Sequence, residues 1–525
     1  MKMNYSRMLR SLALRFGSQE AIVNVERNRR YSYWDYHLLT NRIANALRTT
    51  FGVGNGDRFM LILENDNLSL MMLPCTMKQE GTVVLTNLRD TREEHAGQIA
   101  LVQPKVVFIE SALLDLYYDM LRGHDCQIVV TDAPSVPRHG VLLFWDLVEA
   151  ASDGENDIEL DADEHIVMLR FTGGTTGAGK CAMYSINNLS AARDGVLINP
   201  GLSVDRNCRF LHVAPLSHGT MMMFLPTFFV GGTNITMNQL DLEAWRHAVE
   251  REHVTHSFLV PTVLYRLLEL QQNNPRDLRS LSTIIYRAAP MSPTKLGDLV
   301  RCFGSVFAQI YAATEAAMPI SVLDKKDHDG ASEDTIRRLA SAGRPCAGIE
   351  VYVADQNGAA LPQGETGEIH IRCPAVIKGY FRNAAATEAE FTAGAWRSGD
   401  VGYVDADGYL YIVDRLKDMI ITGGFNVYAV EVEAALTSHP AVLVAAVVGV
   451  PHADWGEAVH AEIVLKSGCS VTPDELIAVT RTILGSYKAP KSIVFVETLP
   501  LSVVGKVLRR EVKQKYWQAS QRKVS

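Results

Sequence analysis

Residues 171–185 read Phe-Thr-Gly-Gly-Thr-Thr-Gly-Ala-Gly-Lys-Cys-Ala-Met-Tyr-Ser and follow the apolar run Ile166-Val167-Met168-Leu169. Four glycines let backbone N–H groups approach a polyanion, three threonines add hydroxyl donors, and Lys180 brings a positive charge. The stretch predicts a strand running into a loop that holds phosphates. Gly174 to Lys180 also fits G-x-x-x-x-G-K, the opening of the mononucleotide P-loop, but that motif continues with a Ser or Thr for magnesium. Cys181 stands there instead, a soft thiol poorly suited to a hard cation. A flexible surface loop is the plain alternative for so much glycine and threonine. The company this stretch keeps along the chain argues against it.

With 525 residues the chain is too long for one hydrophobic core. Its 51 basic and 59 acidic residues leave a net charge of −8, so nothing suggests wholesale attraction to nucleic acid. No apolar run is long enough to span a bilayer. The eight cysteines are scattered without a C-x-x-C pair, which suits reduced thiols in a cytoplasm better than disulfides or zinc. Lys2, Arg7, Arg10 and Arg15 precede the first acid, Glu20, as in some transit peptides. The favoured reading is a first surface helix, Met8 to Phe16, packing Leu9, Leu12 and Leu14, with no extra segment ahead of the folded pattern.

Short apolar runs alternate with helical patterns over the first four hundred residues. Phe59 to Leu63, Val106 to Ile109, Gln127 to Val130 and Phe210 to Val213 read as buried strands; Tyr36 to Arg48 and Leu242 to Glu252 read as helices. This alternation predicts an α/β architecture with mostly parallel, layered sheets. From about residue 349 the texture changes to strands around Asn357-Gly358 and Asp407-Gly408, a small β unit closing the large domain. After the charged segment 414–418 comes a compact α+β pattern, with helices at Val430 to Ser438 and Pro473 to Leu484 and strands at Val442 to Val450 and Ala461 to Leu465. The expected domains are 1–415 and a smaller 416–525.

Further segments follow the phosphate loop in order: Pro215-Leu216-Ser217-His218-Gly219, Gln309-Ile310-Tyr311-Ala312-Ala313-Thr314-Glu315, Gly367-Glu368-Ile369 and Trp396-Arg397-Ser398-Gly399-Asp400. Then come Arg415-Leu416-Lys417-Asp418, Gly423-Gly424-Phe425-Asn426-Val427-Tyr428, Glu431-Val432-Glu433, Gly505-Lys506 and Leu508-Arg509-Arg510. Any one of these is weak. As an ordered set over nearly the whole chain, they resemble the adenylate-forming superfamily of acyl- and aryl-CoA synthetases, luciferases and peptide-synthetase adenylation domains.

That resemblance implies ATP, Mg²⁺ and coenzyme A as cofactors, a small-molecule carboxylic acid as partner, and a small C-terminal domain on a hinge at Lys417. The acid would first become an acyl-adenylate with release of pyrophosphate, then a thioester with release of AMP. Joining two anions requires charge neutralisation and alignment. Thr172, Gly174, Thr175, Thr176, Gly177 and Lys180 would cradle phosphates. Glu315, with Thr176, would hold Mg²⁺, and Thr314 would donate to the α-phosphate; a helix N-cap with a first-turn acid is the ordinary alternative for that Thr-Glu pair. Ala288, Ala289, Pro290 and Tyr311 would flank adenine, Asp400 would accept from the ribose hydroxyls, and Arg415 would contact phosphate or ribose. His218 would stand between the carboxylate and the acyl pocket. Lys506 is the expected catalytic cation, replaced after adenylation by the Gly423-Gly424 loop as the small domain turns. A homodimer is compatible with the family.

The chain departs from the family pattern at Gly173, Gly179, Cys181, Ala312, Arg287 and Ala429, none of which removes a charged catalytic group. Met221, Met222, Met223 and Phe224, beside His218, suggest an uncharged, adaptable pocket for a fatty, aryl or alicyclic acid, with core packing as the alternative. A carrier-protein phosphopantetheine is an alternative acceptor, and a non-catalytic nucleotide-binding protein an alternative role.

Overall fold

The computed structural model describes residues 2–172, 179–287, 293–316, 319–328, 332–392, 394–500 and 507–521. The chain divides into two compact units, Met1–Glu350 with Ile371–Trp396, and Val351–His370 with Arg397–Ser525. The junction expected between 415 and 416 lies inside the second unit.

The first unit is built on two large sheets. One runs in the order Cys181–Ser185, Ile166–Phe171, Thr82–Leu85, Arg58–Ile62, Val106–Ile109, Gln127–Val130, Val141–Leu143. All its neighbours are parallel except the first pair. The second runs Arg344–Pro345, Ser321–Leu323, Phe307–Tyr311, Thr283–Tyr286, His256–Leu259, Arg209–His212, Thr233–Thr236, Glu20–Asn24, Arg29–Ser32. Its interior is parallel and antiparallel strands close both edges. Continuous apolar strands such as Val106–Ile109 are buried along their whole length, as a parallel sheet covered on both faces demands.

Helix starts follow their caps. Ser32 and Asp35 form a capping box at the start of Tyr33–Thr49, and Asp241 caps Leu242–Glu252 through the Ala244 N–H. The first helix is longer than its sequence suggests, Tyr5–Phe16, because Asn4 caps it through the Arg7 N–H. It buries Tyr5, Leu9 and Ala13, spaced four apart on one face, whereas Leu14 is 66% exposed. Leu14 sits about 140° around the helix from Leu9, so the two cannot share a buried stripe.

In the second unit, the part of strand Ala395–Val404 from Arg397 on and Leu410–Arg415 form an antiparallel hairpin, its turn held by Asp405 accepting from the N–H groups of Asp407 and Tyr409. Further along, Val442–His452 and Gly456–Leu465 pair antiparallel, with Ser492–Phe495 parallel beside the latter. Helices Ala429–Thr437 and Pro473–Leu484 contribute Val432, Leu436 and Leu476 to the core of this layer. Cys469 is exposed, unlike the other seven cysteines, which are buried or half-buried. Among the described residues no helix is long and apolar enough to cross a membrane.

Candidate active site

Strand Ile166–Phe171 leads into Thr172, whose N–H donates to the Lys180 carbonyl at 2.8 Å. The chain therefore leaves the sheet and returns to it at one point. Gly174, Thr175, Thr176, Gly177, Ala288, Ala289, Pro290 and Lys506 lie outside the described residues. Cys181 opposes Phe171 in the antiparallel pair and is buried in the apolar cluster that also holds Leu169 and Val84. Burial pushes its thiol up to about 12, so this replacement of a glycine became core rather than chemistry.

The Lys180 ammonium pairs with Glu390 and sits 4.8 Å from the Tyr380 ring centroid. The Tyr380 hydroxyl lies 2.8 Å from Glu315 and 2.6 Å from Glu390. Sequence reasoning missed both Tyr380 and Glu390, which carry no motif of their own and meet Lys180 only through the fold. Burial raises the Glu315 carboxyl above its ordinary range; the Tyr380 hydrogen bond opposes that rise, the Glu390 charge adds to it and Lys180 lowers it.

No helix begins at Thr314. The chain continues irregularly from strand Phe307–Tyr311, with the Glu315 carbonyl accepting from Ile377 and the Thr314 carbonyl from the Tyr184 hydroxyl. The N-cap alternative for the Thr-Glu pair therefore fails. Tyr311 ends that strand half-buried, opposite Ser321.

Among the described residues no group of three or more His, Cys, Asp or Glu side chains could cage a metal. Glu315 keeps one carboxylate oxygen outside its bond to Tyr380, and a second carboxylate, Glu390, stands across the same hydroxyl. That suits Mg²⁺, which is usually held by one or two carboxylates together with substrate phosphates and water.

His218 places Nδ1 3.2 Å from the Ser217 hydroxyl. Burial lowers its imidazole to about 4, helped by the charges of Arg170, Arg287 and Arg89, so the ring is neutral at pH 7. In the methionine run beside it Met221, Met223 and Phe224 are buried in the core, and Met221 and the half-buried Met222 also line a small cavity with Leu73, Met168, Arg170 and Arg193. Strand alternation puts Arg170 on the same face as Met168.

The remaining expected residues lie in the second unit. Asp400 is buried and directly opposite Arg415 in the hairpin, with Arg415 Nε 2.8 Å from Asp400 Oδ1. Lys417 is exposed in the short 3₁₀ turn Leu416–Asp418. Gly423 and Gly424 form the turn between Ile420–Thr422 and Phe425–Val427 at φ +56° and +84°, values that favour glycine. Arg509 bonds Glu433 at 2.7 Å and Asp414 at 3.3 Å, joining two of the quoted segments.

Residues 9–381 match the AMP-binding enzyme family and residues 431–506 its C-terminal domain. The medium/long-chain-fatty-acid–CoA ligase FadD8 of Mycobacterium tuberculosis is 35% identical over 434 residues, 81% of this chain and 74% of that protein. A feruloyl-CoA synthase of Amycolatopsis is 39% identical over 371 residues, 70% of this chain and 73% of that one. Among solved structures, ATP-bound MatB from Rhodopseudomonas palustris superposes with a TM-score of 0.86 at 27% identity, covering 98% of this chain and 99% of that one. With both parts of the family matched in order and the relatives aligned over most of their length, the chain belongs to the AMP-binding, adenylate-forming enzymes, alongside their acyl- and aryl-CoA ligases.

Proposed function

We propose that this AMP-forming acyl-CoA synthetase, which uses ATP, Mg²⁺ and CoA, activates a carboxylic acid with a hydrophobic fatty, aryl or alicyclic body. The observation that carries the reading is the Lys180–Glu390–Tyr380–Glu315 cluster where the phosphate-loop strand returns to the sheet. Lys180 neutralises phosphate charge there, and Glu315 holds Mg²⁺, which draws charge from the phosphate oxygens when bound. Thr314 donates to the α-phosphate and Tyr311 offers its ring to adenine. The neutral His218 imidazole walls the acid site without adding charge. In the second unit Asp400 accepts from the ribose hydroxyls, with Arg415 held against it. Lys506 stabilises the charge that grows as the acid oxygen attacks phosphorus, an interaction made chiefly in the transition state. Turning about Lys417 then exchanges Lys506 for the Gly423-Gly424 turn, along which the CoA thiol approaches. Eight thiols without a disulfide support a reducing compartment such as the cytoplasm.

Pyrophosphate release over a panel of acids tests the chemistry and identifies the acid. Lys506→Ala is expected to abolish adenylation while thioester formation from supplied acyl-adenylate largely survives; equal loss of both halves contradicts the two-state role. A second acceptor is favoured by one relative, the fatty acid–[acyl-carrier-protein] ligase ScoC of Streptomyces coeruleorubidus, 29% identical over 95% of this chain. Offering free CoA and a phosphopantetheinylated carrier side by side separates the two.

A further inference from the structure

Asp414 lies in strand Leu410–Arg415, three residues before the expected hinge at Lys417, and its side chain is fully buried. Both oxygens of its carboxylate are engaged from beyond that hinge. Oδ2 accepts from the Val430 N–H at 3.3 Å, and Oδ1 accepts from Arg509 Nη1 at 3.3 Å as well as from the Arg415 N–H at 2.8 Å. Helix Ala429–Thr437 gets no side-chain cap from its own N-cap residue, Tyr428, so Asp414 supplies an acceptor and a negative charge to its first turn. Arg509 opens helix Arg509–Gln521, three residues after Lys506, and lies 3.6 Å from Asp418. Its Nε and Nη2 hold Glu433, which also accepts from the Val447 N–H at 2.9 Å. Residues on one side of Lys417 are thus tied to residues on the other, and the second unit runs unbroken through the segment. Stripping a buried carboxylate of its cation is costly, so these contacts favour one backbone arrangement at residue 417 over any that parts them.

We propose that Asp414 is a positioning residue for the two-step reaction: with Arg509 and the Val430 N–H it latches the chain across Lys417, and the latch opens once and closes once in each turnover. The proposal rests on the acid-activating reading above, with its turn about Lys417, and adds no chemical step. The latched arrangement serves one half-reaction and the released arrangement the other, so the strength of the Asp414–Arg509 pair sets how the enzyme divides its time between them. Glu433 differs. Its partners Arg509 and Val447 lie beyond Lys417, as it does, so it braces that part of the chain without crossing the hinge.

The test is made on the full-length enzyme. Asp414→Asn keeps an acceptor for the backbone N–H groups but removes the charge that Arg509 holds. Single-turnover pyrophosphate release with an accepted acid reads the first half-reaction, and thioester formation from supplied acyl-adenylate and CoA reads the second. Asp414→Asn is expected to change the ratio of the two rates by about tenfold or more, because population leaves the latched arrangement for the released one. Limited trypsin digestion reads the latch without any substrate, since Arg415 and Lys417 are exposed cleavage sites. The variant is expected to be cut there severalfold faster than the wild type. Arg509→Met should reproduce both effects, and the double variant should add little to either single one. Glu433→Gln should neither raise cleavage nor move the ratio in that direction. A ratio within about twofold of the wild type's overturns the proposal, because a merely structural Asp414 would slow both half-reactions alike. Unchanged cleavage also overturns it, and so does a Glu433→Gln that behaves as Asp414→Asn does. Should Arg509→Met fail to fold, Asp414→Asn and Glu433→Gln still decide. If no acid releases pyrophosphate from the wild type, the ligase reading falls by itself, and the digestion still decides whether the latch exists.

Discussion

At the scale of single residues, the charge balance around Lys180 is the feature with most consequence. Its ammonium is paired with Glu390, so the positive potential it would offer to phosphates in the proposed function is partly cancelled. Glu390→Gln keeps a hydrogen-bond acceptor but removes that opposing charge. The expected outcome is ATP binding tightened severalfold, an effect that fades with added salt because both side chains are about one-third exposed. Titration calorimetry at low and high ionic strength would read it; weakened binding would show that Glu390 aims Lys180 instead of restraining it. Glu390 was not legible in the sequence. It lies 210 positions from Lys180 in a helix, Ala384–Glu390, with no site signature, and only tertiary folding brings the two together. Lys180 and Glu315 were legible because loop and chain order advertise them.

At the scale of elements, boundaries were readable wherever a cap or a continuous apolar run fixed them. Leu242–Glu252 and Pro473–Leu484 occur as their sequences suggest, each behind a capping residue, Asp241 and Thr472. Thr314-Glu315 carries the same kind of signal but follows strand Phe307–Tyr311 without starting a helix, since its backbone partners are the distant Tyr184 and Ile377. Local propensity could not foretell that competition. A related contrast separates two glycines with the same φ of +82°. A Cβ on Gly343 would lie 2.0 Å from the Val322 carbonyl carbon, in the neighbouring strand Ser321–Leu323, whereas one on Gly348 would meet nothing within 4 Å. Gly343→Ala should therefore cost about 3 kcal/mol or more, and Gly348→Ala only about 1 kcal/mol of backbone strain. Thermal melting of the two variants would check this; equal losses would mean that the close approach at Gly343 relaxes without penalty.

At the scale of the whole molecule, three interior histidines tie stability to pH. Burial lowers His212, His256 and His328 from an ordinary 6.5 to about 4. The unfolded chain takes up these protons below about pH 6.5 while the folded one does not, so stability is fully present above that value and is lost as pH falls towards 4. Each contributes a slope of about 1.4 kcal/mol per pH unit in that window. Urea midpoints followed by tryptophan fluorescence should drop between pH 7 and pH 5; a flat profile would mean that these rings take up protons at the same pH in the folded as in the unfolded chain. The pattern of thiols has a practical consequence of its own. Cys75, Cys181, Cys208 and Cys346 are buried with thiols pushed up to about 12, whereas Cys469 stands at the surface of the second unit. A maleimide dye added at neutral pH would find that one site far ahead of these four. The native protein thus carries its own attachment point for a fluorophore, and replacing only the half-buried Cys126, Cys302 and Cys373 would let the C-terminal part of the chain be followed during turnover.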